Sequence, residues 1–225
     1  MKDSENGKKI KIPSNIKIVD ATEKHFKYAE EVCRMIEESA NIRGTGIAKR
    51  KPEYIRMKME ENKAVIALEN DSKVVGFCYI ETWEHQKFVV HSGLIVHLDY
   101  RQLGLAKEIK KKVFELSRRR FPDAKIFGLT TSLAVMKINS DLGYKPVTFQ
   151  LLTQDDDFWK GCESCINYEI LQGKERKMCL CTGMLYEPEK KEEPPLKHSW
   201  KAYDRWLRLR NNFLLRSVIK KGNNK

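Results

Sequence analysis

Residues 101–106 (RQLGLA) lie between a β-rich run and an amphipathic helical pattern. Successive backbone N–H groups at the start of a helix form an anion site, and the helix dipole favours phosphate there. Gly104 allows the backbone to approach a ligand closely, the small Ala106 leaves room for it, and Arg101 adds positive charge. The pattern predicts a phosphate-binding turn, although so short a motif also matches loops that merely begin a helix.

Four cysteines form a second candidate site. Cys162 and Cys165 are separated by two residues, Cys179 and Cys181 by one, and 13 residues lie between the pairs. Four thiolates in two close pairs can complete a tetrahedral Zn²⁺ site, and a metal can order a small segment that lacks its own core. We expect a structural zinc ion here. Four buried or free thiols are the alternative, and a redox pair at Cys162 and Cys165 is a third interpretation.

The elements around these residues follow from hydrophobic periodicity. Strands are predicted at residues 16–19, 64–68, 74–80, 88–97 and 126–131. Helices are predicted at residues 21–40, 52–62, 104–120 and 133–141. This order indicates an α/β (α+β) domain with a central mixed sheet.

The composition limits the class of protein. The chain has 225 residues, of which 41% are hydrophobic, and this is enough for one sizeable core. Its apolar runs are too short to cross a bilayer, and no apolar h-region follows the Lys-rich N-terminus. We therefore expect a cytoplasmic protein whose cysteines are reduced or bound to metal. The predicted segments are a flexible leader at 1–14, a domain at 15–150, a Cys-rich segment at 151–187, a linker at 188–196 and a basic amphipathic helix at 197–225.

The net charge of +12 is concentrated at the C-terminus, because residues 196–225 contain nine Lys or Arg and one Asp. Aromatic and basic residues alternate along this predicted helix. Three interpretations stay open: docking on the core or on a second copy of the chain as a homodimer, binding of nucleic acid, and binding of an anionic membrane surface. We favour docking.

Residues 96–106 (VHLDYRQLGLA) resemble the pyrophosphate-loop signature of GNAT N-acetyltransferases, whose core is Arg/Gln-x-x-Gly-x-Gly/Ala. Residues 142–147 (LGYKPV) resemble the leucine–glycine–aromatic motif that closes the same domain. The resemblance covers residues 15–150 and implies the GNAT acyl-CoA N-acyltransferase fold, with a splayed mixed sheet flanked by helices. The Cys-rich segment and the basic helix are additions to it.

The resemblance also implies acetyl-CoA as co-substrate and direct attack of a neutral amine on its thioester. The pyrophosphate would lie on the N–H groups after Arg101, and the pantetheine arm would pair with the strand before it. The implied contacts are Leu94, Ile95, Val96, Arg101, Gln102, Leu103, Gly104, Leu105 and Ala106.

The chain departs from the family at two catalytic positions. The family often has a glutamate base where Val90 stands and a tyrosine acid where Asn139 stands. Our candidate catalytic residues are Glu81, His91 and Asn139. Glu81 could act through water from the adjacent strand, whereas His91 should point to the other face of the sheet unless a bulge redirects it. Proton transfer through water, with catalysis mainly by positioning, is a further alternative.

The acceptor is suggested by residues 127–131 (FGLTT), which resemble the acetyltransferase domain of N-acetylglutamate synthases. Thr130 and Thr131 would then contact the substrate, and Arg50 would bind its carboxylate through two hydrogen bonds. That group usually has a basic residue where Ser132 stands, and Arg50 is otherwise a solvated member of a basic run. The sequence thus predicts acetyl transfer to an amino-acid-like amine such as glutamate. The alternative function is a binding module that has lost its catalytic groups.

Overall fold

The computed structural model describes residues 12–43 and 50–189, together with Arg205. The chain divides into two compact units, Met1–Pro188 and Glu189–Lys225. Most of the predicted leader and linker, and the predicted basic helix apart from Arg205, lie outside the described residues. Within the described part of the chain, no helix is both long and apolar enough to cross a membrane.

The described residues of the first unit contain one sheet and six α-helices. The strands are β1 (Ile16–Asp20), β2 (Ala64–Glu69), β3 (Lys73–Trp83), β4 (Phe88–Val96), β5 (Lys125–Thr130), β6 (Lys145–Val147) and β7 (Thr182–Tyr186). The described α-helices are α1 (Ala29–Arg43), α2 (Pro52–Glu60), α3 (Leu105–Arg120), α4 (Leu133–Asp141), α5 (Asp156–Lys160) and α6 (Tyr168–Gly173). The predicted helix at 21–40 begins instead as a 3₁₀ turn, Glu23–Tyr28, which Thr22 caps as expected.

The strands lie in the order β1-β2-β3-β4-β5-β7-β6, and all neighbours are antiparallel except β4 and β5. Residues 64–68 of β2 are all buried, because helices cover both faces of the sheet at this point. The mixed sheet between helices confirms the predicted fold class.

The two faces of the sheet pack on different helices. On one face α3 contributes the four residues expected from its periodicity, Leu105, Ile109, Val113 and Leu116. These side chains are at most 2% exposed. On the other face α1 and α2 pack against β2 and β3 through side chains that include Ile36, Ile55, Met59, Ile66 and Phe77. Burial of each such side chain stabilises the fold by about 1.5–3 kcal/mol before entropy is counted.

β4 contains a β-bulge near its middle. Phe77 pairs with Ile95, and Tyr79 pairs with Ser92. One residue separates these pairs on β3, but two residues, Gly93 and Leu94, separate them on β4 and face that single position. Gly93 has a φ of +63°, and a Cβ at this residue would lie 2.4 Å from the Tyr79 ring. Only glycine satisfies both requirements without strain.

The parallel pairing of β4 and β5 is short. It consists of three pairs, Phe88 with Lys125, Val89 with Ile126 and Val90 with Phe127. Beyond Val90 the two strands have no common ladder, so the sheet is splayed as expected.

β7 lies between β5 and β6 and pairs with both. The predicted domain boundary at residue 150 therefore cuts through the sheet, because β7 belongs to the segment assigned to residues 151–187. A third core cluster joins this segment to the sheet through Phe127, Phe149, Trp159 and Leu185. The run TGMLY at 182–186 follows two cysteines and does not alternate polar and apolar residues, so no strand is predicted there.

We predict that Gly93→Ala lowers the free energy of unfolding by about 2–3 kcal/mol, because the methyl group meets Tyr79 and alanine is strained at positive φ. Urea denaturation measures this change. Gly173→Ala is the matched control, since no atom lies within 4 Å of a Cβ there. Equal stability of the two variants would contradict the steric role of Gly93.

Candidate active site

A cleft of about 900 Å³ opens where β4 and β5 separate. Its walls come from α2, β3, β4, β5, α4 and the segment after α5. This volume is within the range of ligand pockets in proteins. The predicted substrate residues Arg50, Thr130 and Thr131 and the predicted catalytic residues Glu81, His91 and Asn139 all line this cleft.

The predicted phosphate turn forms the start of α3. Gln102 and Gly104 have φ values of +66° and +77°, and Gly104 is the N-cap residue of the helix. The backbone N–H groups of residues 102–106 donate to no acceptor among the described residues, whereas those of Lys107 and Glu108 bond to the Gly104 carbonyl. Nothing lies within 4 Å of a Cβ built on Gly104. The turn therefore presents a row of free donors and open space, as an anion site requires.

Arg101 supports this turn from the side. Its Nε donates to the Val96 carbonyl at 3.5 Å, and one Nη donates to Ser39 Oγ of α1 at 3.2 Å. The side chain therefore ties the turn to β4 and α1. The predicted phosphate contact of Arg101 stays a prediction, as do those of Leu103 and Leu105, the latter a buried core residue.

The predicted pantetheine residues, Leu94, Ile95 and Val96, lie on the part of β4 that β5 has left. Ile95 and Val96 pair with β3 on one side. On the other side, no described strand forms a ladder with residues 91–96. An extended ligand can hydrogen-bond to such a free strand edge.

Glu81 occupies the face of the sheet that faces the cleft. It pairs directly with Val90 across the β3–β4 ladder, and directly opposed residues of antiparallel strands share a face. Its carboxylate accepts hydrogen bonds from Tyr54 Oη and, at 2.7 Å, from Ser92 Oγ. Burial and the charge of Glu81 raise the pKa of Tyr54 far above its ordinary value, so this hydroxyl stays a neutral donor. Glu81 thus provides a carboxylate beside the position where the family often has one.

Arg50 lies on the same side of the cleft. Its Nε donates to Tyr79 Oη at 2.7 Å, and its guanidinium lies 5.5 Å from the Tyr54 ring centre. Burial lowers the pKa of Arg50, but Tyr79, Glu81 and Tyr54 more than offset this, and the guanidinium stays charged. The alternative of a fully solvated Arg50 does not fit this half-buried position.

Thr130 and Thr131 stand at the end of β5. Thr130 Oγ1 accepts a hydrogen bond from the Ser132 N–H at 3.0 Å, and Ser132 caps α4. Thr131 is exposed on the cleft. The two threonines therefore border the cleft opposite Arg50, and their contact with a substrate stays a prediction.

His91 points to the other face of the sheet, beneath α3. Its Nε2 lies 2.9 Å from Ser117 Oγ, and its Nδ1 lies 2.9 Å from Lys110 Nζ and 3.2 Å from Tyr144 Oη. Burial and the charge of Lys110 lower the pKa of His91 well below its ordinary value, and burial lowers that of Lys110 to about 8. The imidazole is therefore neutral and held in a buried network, and Glu81 is the better placed base.

Asn139 of α4 is 1% exposed, and its Oδ1 has no hydrogen-bond partner among the described residues. Leaving such a group unsatisfied costs about 1–3 kcal/mol, so a donor from a ligand or a water molecule would stabilise it. A carboxamide cannot release a proton as tyrosine does, and it can only hydrogen-bond to the leaving group.

The four cysteines predicted to bind zinc line a single small cavity beside the cleft. Burial, then Cys165 and Cys179, raise the pKa of Cys162 to about 11, and burial, then the other three thiols, raise that of Cys181 to about 12. Within the described part of the chain, no three His, Cys, Asp or Glu side chains converge to hold a metal ion. The zinc ion stays a prediction.

Four further residues that line the cleft are not predicted from the sequence: Tyr54, Tyr79, Ser92 and Lys110. Gly93 inside a strand pattern could have indicated the bulge beside Ser92. No local pattern could have found the two tyrosines, because their role depends on α2 packing against β3.

Comparison with known proteins shows the fold and a match to a family model over part of the chain. Residues 30–134 match the acetyltransferase (GNAT) family. No curated protein matches the chain in sequence. The N-acetylglutamate synthase of Neisseria gonorrhoeae, solved with coenzyme A and N-acetyl-glutamate, has a TM-score of 0.55 at 12% identity over 78% of this chain and 36% of that one. The chain thus spans about a third of that enzyme's length.

Two further solved structures are covered by this chain over nearly their whole length. Rv2747 of Mycobacterium tuberculosis, in complex with CoA and NLQ, has a TM-score of 0.55 at 13% identity, covering 76% of this chain and 98% of that one. The yncA protein of Salmonella typhimurium, with its cofactor acetyl-CoA, has a TM-score of 0.53 at 13% identity, covering 81% and 99%. At such low sequence identity, the structural similarity establishes a shared fold and nothing more.

Gly104→Asp should weaken the binding of acetyl-CoA by roughly 2–4 kcal/mol, because a carboxylate would face the pyrophosphate. The fold should survive, since the site is open and Asp tolerates positive φ better than most residues. Calorimetric titration with acetyl-CoA measures the affinity, and circular dichroism checks the fold. Gly173→Asp is the control for added charge. Unchanged affinity of Gly104→Asp would place the pyrophosphate elsewhere.

Proposed function

We propose that the chain is an acyl-CoA-dependent N-acetyltransferase of the GNAT family, whose model residues 30–134 match, and that it acetylates the primary amine of a small, carboxylate-bearing acceptor. The observation that carries this proposal is the presence of Glu81 and Arg50 on one side of the same cleft. One group suits an ammonium proton and the other a carboxylate, and both occur in an amino acid.

Acetyl-CoA supplies the electrophilic thioester carbonyl. The free N–H groups of residues 102–106 suit its pyrophosphate, since they combine unsatisfied donors with the positive end of the α3 dipole. The free edge of β4 at Leu94, Ile95 and Val96 suits an extended arm that carries amides. The cleft opens where β4 and β5 separate, and Glu81 and Asn139 line it.

Glu81 is the proposed proton acceptor. An amine must be neutral to attack a carbonyl, and a carboxylate within reach, directly or through one water, can accept its proton. Tyr54 and Ser92 donate to the carboxylate and hold it in place. Asn139 can donate a hydrogen bond to the departing thiolate, and the proton that the thiolate needs would come from solvent.

Arg50 is the proposed carboxylate ligand. Guanidinium binds carboxylates through two parallel hydrogen bonds, and Tyr79 fixes the orientation of this one by accepting from Nε. Thr130 and Thr131 border the cleft from β5. The Neisseria structure with bound N-acetyl-glutamate is consistent with an amino-acid acceptor, but at 12% identity it supports only the fold. Ser132 distinguishes this chain from the synthases, so an acceptor other than glutamate is included in the proposal.

Glu81→Gln should lower kcat for the amine by about 10²-fold or more, because the amide preserves the shape but cannot take a proton. The KM for acetyl-CoA should change little. Raising the pH should recover part of the rate, since a larger fraction of the free amine is then neutral. A thiol-release assay measures all three, with Glu115→Gln on the outer face of α3 as the control. An unchanged kcat would exclude Glu81 as the base.

Arg50→Ala should raise the KM for the amine far more than that for acetyl-CoA, with a loss of roughly 2–4 kcal/mol in kcat/KM. Arg50→Lys should recover only part, because it keeps the charge but loses the planar fork. Arg56→Ala, on the exposed side of α2, is the control. If polyamines or protein lysines are acetylated and amino acids are not, the proposed acceptor class is wrong while acetyl transfer stands.

A further inference from the structure

The four cysteines at 162, 165, 179 and 181 are brought to one place by separate parts of the chain. The first pair follows α5, and the second pair leads into β7. All four line a cavity of about 20 Å³, enough space for one small ion or water molecule. None of them forms a disulfide bond.

The first pair lies on a tight turn. The Cys165 N–H donates to the Cys162 carbonyl at 2.9 Å, which closes a tight turn. The Asn167 N–H then donates to Cys165 Sγ at 3.4 Å. An N–H group directed at sulfur helps to orient the side chain, as contacts around metal ligands do.

The neighbouring apolar side chains argue against simple hydrophobic packing of this segment. Ile166, Met178 and Leu180 are 73%, 56% and 63% exposed, although each is adjacent to one of the cysteines. The cysteines beside them are half-buried around the cavity. Trp159 and Leu171 of the same segment are buried in the third core cluster. Beside the cysteines, however, the thiols lie inside while larger apolar side chains are exposed, which hydrophobic burial alone does not favour.

We propose that Cys162, Cys165, Cys179 and Cys181 together bind one zinc ion. In the arrangement of the described residues the thiols surround the cavity without converging on one point. Zinc requires four sulfurs in a tetrahedron at about 2.3 Å, which the two short loops reach by closing around the cavity. Binding releases one proton from each thiol, so one Zn²⁺ replaces four protons and no electrons are transferred.

The site has a consequence for the acceptor side of the cleft. Cys162, Cys165 and Cys181 line the cleft as well as the small cavity. A metal bound to these cysteines would hold this part of the cleft wall in place. The same cleft contains Arg50, the proposed ligand of the acceptor's carboxylate. This consequence rests on the proposed function, whereas the metal site itself does not.

The first experiment measures zinc in the full chain, purified under reducing conditions without chelator. We expect one zinc per chain by atomic emission, and intense thiolate-to-metal absorption bands after replacement by Co²⁺. Serine at any one of the four positions should reduce the zinc content at least fivefold. Cys33→Ser is the matched control, because Cys33 is a half-buried cysteine of α1 outside the cluster, and it should retain one zinc.

The unsubstituted protein provides a second measurement, which is needed because a serine variant could fail to fold. A chelator should remove the metal, lower the melting temperature and expose four additional thiols to a thiol reagent, and added zinc should reverse all three. A native protein with no metal and four reactive thiols would overturn the proposal. Two disulfide bonds within the segment, found by mass spectrometry, would overturn it as well.

Kinetics then separate the two proposals. Zinc removal should raise the KM for the acceptor severalfold while leaving the affinity for acetyl-CoA unchanged. If no amine is acetylated, the proposed function fails, but zinc content and the cobalt spectrum still decide the metal site. If amines are acetylated by a protein that holds no zinc, only the metal site fails.

Discussion

The hydrogen bonds between β4 and β5 stop after Val90, and the rest of the site depends on this interruption. A strand whose backbone groups lose their partner inside a sheet must find another, because unpaired N–H and C=O groups are costly when water is excluded. On β3 the ladder continues past the bulge, so β4 keeps one partner while its other edge becomes available. A ligand with amide groups can replace β5 along this edge. The turn before α3 then receives the charged end of the same ligand.

The site also shows that a face of a sheet, rather than a particular strand, determines where a catalytic group can stand. Val90 and Glu81 are direct cross-strand partners, so a carboxylate on either strand projects into the same part of the cleft. Moving it to β3 brings it within reach of Tyr54 of α2 and Ser92 of β4. These two donors satisfy and orient the carboxylate in its partly buried position. The adjacent residue on β4, His91, is excluded by the same alternation and joins the packing under α3 instead.

Much of this could be predicted from the sequence, because the sheet has strong local patterns. The bounds of α4 and the buried face of α3 follow from periodicity, and the turn at Gly104 follows from glycine chemistry. The face occupied by His91 follows from strand alternation. What could not be predicted depends on contacts between distant residues. The hydrogen bond from Arg50 to Tyr79 joins positions 29 residues apart, and β7 finds its place only through β5 and β6. The sequences of β6 (KPV) and β7 (TGMLY) carry too little pattern to indicate such pairing.

The position of β7 affects the order in which the chain can fold during synthesis. Its pairing with β5 links residues 52 to 60 positions apart, from Thr130 with Thr182 to Ile126 with Tyr186. Until residue 186 has left the ribosome, the outer edge of β5 has no partner, and β6 has no strand on which to form. Non-local pairing of this kind is slow, and an open strand edge can associate with other chains in the meantime. The half of the sheet before β5 can assemble early, so the nascent protein passes through a stage in which the splay exists but one wall of the cleft does not.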